Sequence, residues 1–293
     1  MLNPIRFFAA IPDPWRGWLG LRRARRWLRA VRFARSHNAR MSRTAPGVAF
    51  FPMRVEPTAG FADVLSRLGA RIVPFSDTAD LVVAWHTGTF VSAADVTRLP
   101  AAAINRGCVD ISKSTVDAAW AAVAGYSVAV DPLTFEGPIV VKAEANAVRD
   151  GRIVTGPLSA RENGFVYQRL VNCRDGDRIY TTRPMIFRGR VLVVYEKWRA
   201  APDWFAGKEQ VAVRAPSECY SPDEIDAVIA FCARIGMDYG ELDVVRDADS
   251  GLIYVVDANR TPIRPRGLAV SDEDAAFEPL AQALQAVLPV RAG

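Results

Sequence analysis

Residues 240–262, GELDVVRDADSGLIYVVDANRTP, contain acidic and amide side chains at a spacing that could hold a divalent cation. Two strand-like runs flank the turn-rich sequence RDADSG, which predicts a β-hairpin. A turn at its centre pairs Asp243 with Asp257 and Glu241 with Asn259, and alternate residues of a strand share one face. Like charges directly across a sheet destabilise it, and a bound magnesium ion would remove that repulsion. A one-residue slip of the register would instead leave these acids as solvated surface charges.

Two lysines stand in positions that could bind a polyphosphate. Lys142 ends the apolar, strand-like run GPIVVK, and Lys113 lies in DISKST at the start of a helical segment. A lysine ammonium is a suitable point-charge ligand for phosphate. On its own, each lysine fits a solvent-facing end of its element better, so the pair gains meaning only from the pattern around it.

Taken in order along the chain, these segments resemble the ATP-grasp superfamily over about 101–262. In that superfamily an acid on one strand is followed on the next strand by Glu-x-Asn and often by a proline. Asp243, Asn259 and Pro262 match this pattern, and Asp257 stands where the glutamate is usual. The resemblance implies that Asp243, Asp257 and Asn259 bind one or two magnesium ions, for which manganese can substitute.

The same resemblance assigns the nucleotide contacts. It implies that Lys113 and Lys142 bind the phosphates of ATP, and that the strand in FVYQRLV ends in the adenine hinge. The hinge residues are Gln168, Arg169, Leu170 and Val171. In the superfamily the strand after the hinge usually opens with Asp-x-Arg. Here Arg183 takes the place of the arginine, Thr181 stands at the acid position, and Asp177 lies one bend earlier as a substitute.

In the same superfamily a basic residue beyond the next strand contacts the transferred phosphoryl group. The candidates in this chain are Lys197, Arg199 and Lys208. Arg199 is preferred because a guanidinium presents a forked set of donors to a phosphate. Arg199 and Arg183 are therefore the predicted catalytic residues, and the alternative for Arg199 is an exposed charge at the end of a strand.

The chemistry that the resemblance implies is a ligase reaction. ATP phosphorylates the carboxylate of a small molecule or peptide, and an amine, or less often a thiol, attacks the acyl phosphate. Such a site works by positioning and charge neutralisation and needs no covalent nucleophile, in agreement with a sequence that has no Ser-His or Cys-His motif. The alternatives are a kinase that phosphorylates a hydroxyl, and a nucleotide-sensing or adaptor protein without turnover.

The predicted fold class is α/β, with an ATP-grasp core of two subdomains preceded by a small α/β domain. Short apolar runs alternate with helical segments over 47–112, including a run at 99–105, which predicts a largely parallel sheet. The ATP-grasp domain is expected at 113–293, with subdomains at about 113–172 and 173–293. His86, at the end of one predicted strand, either faces substrate or is a buried histidine with satisfied hydrogen bonds.

The composition is that of a globular protein, with 293 residues, 50% of them hydrophobic and 24% charged. No stretch is long and apolar enough for a membrane-spanning helix, and the apolar stretch 7–11 is too short for a secretory signal. The four cysteines form no C-x-x-C pair, and only two histidines are present, which argues against a zinc cage. Scattered free thiols suit the cytoplasm, which is the expected location.

The N-terminal residues 1–46 form a basic extension, with eleven arginines and one acid, whereas the rest of the chain is acidic overall. Within it, 17–36 predicts a basic amphipathic helix. Its apolar residues include Trp18, Leu21, Trp27, Leu28 and Val31. Either this stripe packs on the body of the protein, or the helix docks on anionic lipid, RNA or an acidic protein. Lipid docking would place the protein peripherally at a membrane. The oligomeric state is open.

Overall fold

The computed structural model of the protein describes residues 13–76, 78–146, 148, 150–200 and 209–289, with side chains from Arg25 onwards. The first element is helix α1 (Asp13–Asn38), which contains the basic helix expected at 17–36. No helix in the described ranges combines the length and the apolar character that crossing a membrane requires.

A small parallel sheet follows α1 in the chain. It consists of β1 (Gly47–Pro52), β2 (Arg71–Val73) and β3 (Leu81–Trp85), in the order β2-β1-β3. Helix α2 (Gly60–Leu68) connects β1 to β2, and helix α3 (Ala93–Arg98) follows β3. The alternation of short apolar strands with helices predicted this arrangement, because parallel strands need crossover connections.

The strand expected at 99–105 is not formed, and this prediction was wrong. Ala103 and Ile104 are buried, but only an isolated bridge between Val83 and Ile104 joins the segment to β3. The amide of Ala103 donates to the carbonyl of Pro100, as in a turn. The apolar run indicated burial alone, because a short apolar run does not by itself distinguish a strand from other buried structure.

A second sheet is built from the next three strands. Helix α4 (Lys113–Ala124) precedes it, with the bounds expected for the helical segment that starts at Lys113. The strands β4 (Gly137–Ala143), β5 (Arg152–Gly156) and β6 (Phe165–Arg169) pair antiparallel in the order β5-β4-β6. This sheet carries both the strand that contains Lys142 and the strand that ends in the predicted hinge.

Six strands form the largest sheet, which is antiparallel, in the order β10-β9-β8-β11-β12 with β7 paired to β8. The strands are β7 (Arg174–Asp175), β8 (Arg178–Phe187), β9 (Arg190–Ala200), β10 (Gln210–Arg214), β11 (Tyr239–Arg246) and β12 (Ile253–Asn259). The two hairpins expected from the sequence, β8-β9 and β11-β12, are both present.

Three helices accompany this sheet: α5 (Pro216–Cys219), α6 (Pro222–Arg234) and α7 (Glu273–Gln285). Helix α6 begins at the predicted capping box. The Ser221 hydroxyl accepts a hydrogen bond from the Glu224 amide at 3.3 Å, and the Glu224 carboxylate accepts one from the Ser221 amide at 2.9 Å. Local chemistry therefore fixed the start of this helix.

The two faces of the large sheet bury different cores. On one face Ile186 and Leu242 pack with residues of α4 and α6. On the other face Met185 and Tyr195 pack with the small parallel sheet, α2 and α7. Arg183 lies two residues before Met185 in β8 and shares its face, so this second face changes from apolar to charged along the strands. The charged half of the face belongs to the cavity described below.

The C-terminal half of α1 packs on the small parallel sheet. Ala30 is buried, and Phe33 packs against the core. The buried His37 ring is hydrogen-bonded through Nε2 to the carbonyl of Ala70 at 2.7 Å. The Asn38 amide group donates to the Ile72 carbonyl at 2.7 Å and accepts from the Ile72 amide at 2.8 Å. These contacts favour the alternative in which the helix belongs to the body.

The outer side of the described part of α1 still carries apolar groups. Trp27 is 55% exposed and Leu28 is 46% exposed. The side chains of Trp18 and Leu21, which the sequence placed in the same stripe, lie outside the described residues. Docking of this helix and the division of the chain at 46/47 and 112/113 stay predictions.

Substitution of Asn38 tests whether α1 is part of the folded body. Asn38→Ala removes both hydrogen bonds to Ile72 and should lower the free energy of unfolding by about 1–2 kcal/mol. Thermal or urea unfolding measures the change. Arg40→Ala, at an exposed position just after the helix, is the matched control and should change stability little. Equal stability of the two variants would contradict the proposed anchoring of α1.

Candidate active site

A cavity of about 530 Å³ lies between the β5-β4-β6 sheet and the charged half of the large sheet. It contains most of the site residues expected from the sequence. These are Lys113, Lys142, Gln168, Arg169, Leu170, Val171, Arg183, Arg199, Asp243 and Asp257. The residues come from seven different elements and from the segment after β6, so only the folded chain brings them together.

The acids of the β11-β12 hairpin face each other as the sequence predicted. Glu241 pairs with Asn259 and Asp243 pairs with Asp257. The register nevertheless changes between Asp243 and the turn, because Val244 pairs with Val255 and Val256 is left as the extra residue of a β-bulge. Bulges near functional sites re-aim side chains. If the register of Val244 and Val255 continued without a bulge, Asp243 would face Val256, and the two carboxylates would not oppose each other.

Arg183 compensates the charge of the acids on β11. Its Nε donates to Asp243 Oδ1 at 2.6 Å, and its Nη1 lies 3.7 Å from Glu241 Oε2. Burial alone would lower the pKa of Arg183, but Asp243 and then Glu241 more than offset this effect, and the pKa is raised. Burial raises the pKa of Glu241 to about 7, against the opposing effects of Arg183 and Lys197.

Asp257 is buried next to another acid and two lysines. Burial raises the pKa of Asp257 to about 6, repulsion by Asp243 adds to the increase, and Lys113 and Lys142 oppose it. Burial lowers the pKa of Lys142, while Asp257 and Asp243 raise it and Lys113 lowers it further. These mutual effects place the two acids and the two lysines in one electrostatic cluster.

The first residues after β4, 144–146, are hydrogen-bonded to the start of α4 and to the loop after β3. Lys113 Nζ donates to the Ala145 carbonyl at 3.1 Å. Glu144 accepts hydrogen bonds from the amide and hydroxyl of Ser114 at 3.0 and 2.7 Å. The amide of Asn146 donates to the Thr89 hydroxyl at 2.8 Å. Lys113 is therefore hydrogen-bonded to the first part of the segment that follows β4 and borders the cavity.

The predicted hinge forms the apolar side of the cavity. Gln168 is buried in β6, and Leu170 and Val171 line the cavity after the strand ends. Further apolar lining comes from Val128, Val140, Ile179, Val245 and Val256. The Arg169 guanidinium instead turns to the β11-β12 hairpin, where it hydrogen-bonds the Tyr254 hydroxyl and lies 4.7 Å from the centre of that ring. The cavity thus has an apolar slot beside a charged floor.

Two predicted site residues do not line the cavity. Asp177 is exposed in the two-residue turn between β7 and β8, beside Gly176, which has a φ of 57°. That tight turn holds Asp177 at the tip of a hairpin, so the structure does not bring it to the cavity. Asn259 lies two residues after Asp257 in β12, half-buried, and its side-chain oxygen accepts from the Thr261 amide at 3.0 Å.

Other charged residues, which the sequence did not single out, also line the cavity. Glu209 forms an ion pair with Lys197 at 2.7 Å and lies 3.8 Å from Arg199. Arg264 and Arg266 line the cavity from the segment after β12. Nothing in the local sequence marks these three, because they reach the cavity from a strand edge and a loop without a motif. Lys208, a sequence candidate, lies outside the described residues.

Arg260 connects the end of β12 to the loop after β3. The side chain is buried and donates to the carbonyls of His86 at 3.0 Å, Cys108 at 2.6 Å, Gly88 at 2.5 Å and Thr89 at 3.2 Å. His86 itself is half-buried, and its Nδ1 accepts from the Gly88 amide at 3.0 Å. Burial lowers the pKa of His86. The His86 ring therefore makes its hydrogen bond within the loop that Arg260 holds in place.

The donor atoms fit magnesium bound together with a phosphate ligand. The described residues contain no group of three or more His, Cys, Asp and Glu side chains arranged to hold a metal. Magnesium typically uses one or two carboxylates and completes its shell with waters and substrate phosphates. Asp243 and Asp257 provide such a pair of carboxylates, beside lysines suited to phosphate.

Comparison with solved structures identifies the fold. The ATP-grasp ligase PsnB complexed with a minimal precursor has a TM-score of 0.57 and 16% identity, over 83% of this chain and 99% of PsnB. PsnB with minimal precursor, Mg and ADP gives 0.56 and 15%, over 84% and 98%. PsnB with precursor peptide PsnA2 and AMPPNP gives 0.55 and 15%, over 83% and 97%. No family model and no curated protein matches the sequence.

The protein has the ATP-grasp fold. The α/β fold class expected from the sequence is confirmed. At this level of identity the likeness concerns the fold, so the roles of individual residues rest on the geometry of the cavity.

Substitution of Arg260 tests the connection between β12 and the loop after β3. Arg260→Lys keeps the charge but cannot serve four carbonyls with one ammonium, so buried carbonyls lose their partners. The free energy of unfolding should fall by about 2–4 kcal/mol, measured by urea unfolding. Arg234→Lys, at an exposed position in α6, is the control and should be near neutral. A stability loss no larger than that of the control would contradict the role given to Arg260.

Proposed function

We propose that the protein is an ATP-dependent ligase that activates a carboxylate as an acyl phosphate for attack by an amine. The observation that carries this proposal is the single cavity in which two lysines and two opposed carboxylates stand beside an apolar slot. The slot suits an adenine ring, and the charged floor suits a polyphosphate with its metal ion. PsnB, which is described as a ligase and was solved with AMPPNP and with Mg and ADP, supports the same proposal.

The proposed roles follow the order of the nucleotide, from adenine to the metal-bound phosphates. Adenine lies against the hinge 168–171, and the phosphates extend to Lys113 and Lys142. Asp243, Asp257 and Asn259 bind magnesium, and Asn259 is included because alternate residues of β12 share the face of Asp257. Magnesium would neutralise phosphate charge when bound. Two ions, and manganese as a substitute, remain part of the proposal.

The proposed reaction is an in-line phosphoryl transfer to the substrate carboxylate. Arg199 contacts the transferred phosphoryl group, because it lines the cavity on β9 and a guanidinium binds phosphate oxygens with a forked set of donors. Arg183 holds Asp243 in position through their hydrogen bond. The amine then attacks the acyl phosphate and releases phosphate, so the protein supplies positioning and charge and no covalent nucleophile.

The substrates are proposed by class. PsnB is solved with a precursor peptide, which supports a peptide carboxylate alongside a small-molecule acid. An amine is the proposed acceptor, so the bond formed is a carbon–nitrogen bond. The cytoplasm, where ATP and magnesium are abundant, is the proposed location.

Removal of one carboxylate tests the metal site. Asp257→Asn keeps the shape of the side chain and removes the charge opposite Asp243, so the fold should stay intact while magnesium-dependent ATP turnover falls about 100-fold. ADP release with magnesium, and again after EDTA, measures the effect. Asp226→Asn, exposed in α6, is the matched control. Wild-type turnover in Asp257→Asn would show that the metal assignment is wrong.

The fate of the phosphate separates the ligase from its alternatives. Wild-type protein with MgATP, a glutamate-containing peptide and hydroxylamine as the amine should release ADP and inorganic phosphate and form a hydroxamate. Hydroxylamine captures an acyl phosphate, so omission of the amine should suppress turnover. A stable phosphate ester without free phosphate would indicate a kinase instead. ATP binding without ADP release for any acceptor would indicate a nucleotide sensor.

A further inference from the structure

Arg266 is a basic residue at the edge of the cavity and takes part in none of the ion pairs that the described residues form. It lines the cavity and is exposed, so it stands at the opening. Among the described residues it makes no ion pair, in contrast to Arg264 two residues before it. Arg264 is paired with Asp63 at 3.3 Å and also with Glu273. A cation without an acid at the opening of a cavity is available to a ligand.

The backbone that carries Arg266 is fixed on both sides. Before it, the Arg264 amide donates to the Thr58 carbonyl at 2.9 Å, and Ile263 forms an antiparallel bridge with Ala59. After it, Gly267 has a φ of 86°, and a Cβ there would lie 3.1 Å from the carbonyl oxygen of Glu209. The segment is therefore held between the residues just before α2 and the residue just before β10. Arg266 is held at the opening by its backbone.

Arg266 differs from the other basic residues that line the cavity. Lys113 and Lys142 are assigned to the phosphates of ATP. The remaining ones form ion pairs with acids: Arg169 with Asp247, Arg183 with Asp243 and Glu241, Lys197 and Arg199 with Glu209, and Arg264 with Asp63 and Glu273. Among the described residues, Arg266 is therefore the cation of the cavity that is left for an anionic group of the substrate.

We propose that the carboxylate substrate carries a second anionic group and that Arg266 binds it. This inference rests on the proposed ligase function and adds the class of substrate, which is a dianion. The first carboxylate lies at the charged floor, where it reacts, and the second lies at the opening. A free dicarboxylic acid and an acidic side chain next to the reacting one in a peptide have the same chemistry at this position.

Binding of paired probes to the full chain with Mg·AMPPNP tests the proposal. Glutarate is compared with pentanoate, and acetyl-Glu-Glu-Glu-amide with acetyl-Gln-Glu-Gln-amide, by calorimetric or NMR titration. Wild-type protein should bind the more acidic member of at least one pair about five- to tenfold more tightly. A preference within the glutarate pair identifies a free dicarboxylate as the source, and a preference only within the peptide pair identifies an acidic peptide.

Variants at Arg266 assign the preference to this side chain. Arg266→Gln should bring the ratio of dissociation constants close to one, and Arg266→Lys should restore part of it, because the charge returns without the forked donors. Arg190→Gln, exposed at the far end of β9, is the matched control and should keep the wild-type ratio. The affinity for Mg·AMPPNP should be equal in all four proteins.

Two results would overturn the proposal and leave the ligase function standing. One is normal binding of Mg·AMPPNP by the wild-type protein without a preference in either pair of probes. The other is an unchanged preference in Arg266→Gln. Failure of the wild-type protein to bind Mg·AMPPNP would instead reject the proposed function itself, and the inference with it.

Discussion

The opposition of Asp243 and Asp257 across neighbouring strands is the constraint on which the rest of the site depends. Two carboxylates at directly paired positions repel each other, and burial of Asp257 increases the cost. The protein meets this repulsion with Arg183 from the same sheet and with Lys142 and Lys113 from elsewhere. Those lysines belong to β4 and α4. The charge of the two acids is therefore balanced only because the smaller antiparallel sheet lies across the cavity from the large one.

The large sheet also shows how the charged site is supported. Along β8 and β9 one face changes from apolar core, at Met185 and Tyr195, to cavity, at Arg183 and Lys197. Glu241 lies buried at this boundary, and Arg183 and Lys197 offset only part of the increase that burial causes in its pKa. The apolar half of the face anchors the strands, so that the charged half is held rigidly although its own contacts contribute little net stability.

The small parallel sheet is joined to the site by polar side chains. The Asn105 side chain accepts from the amides of Asp238 and Tyr239, both at 2.8 Å, and donates to the Tyr239 carbonyl at 2.6 Å. Nearby, the backbones of Gly107 and Gly236 approach so closely that a Cβ on Gly236 would lie 2.5 Å from the carbonyl carbon of Gly107. Together with Arg260, these contacts fix the start of β11 and the end of β12 relative to the small sheet.

The sequence by itself determined the local elements and the order of the site along the chain. Turn residues and alternation predicted the β11-β12 hairpin, and the capping box predicted the start of α6, because such signals act over a few residues. Only the tertiary structure decided the bulge at Val256, the position of Asp177 in a hairpin turn away from the cavity, and the turn in place of a strand at 99–105. It also decided the arrival of Glu209, Arg264 and Arg266 at the cavity. The arrival of these three residues depends on contacts between residues far apart in the chain, and no local pattern of residue types encodes such contacts.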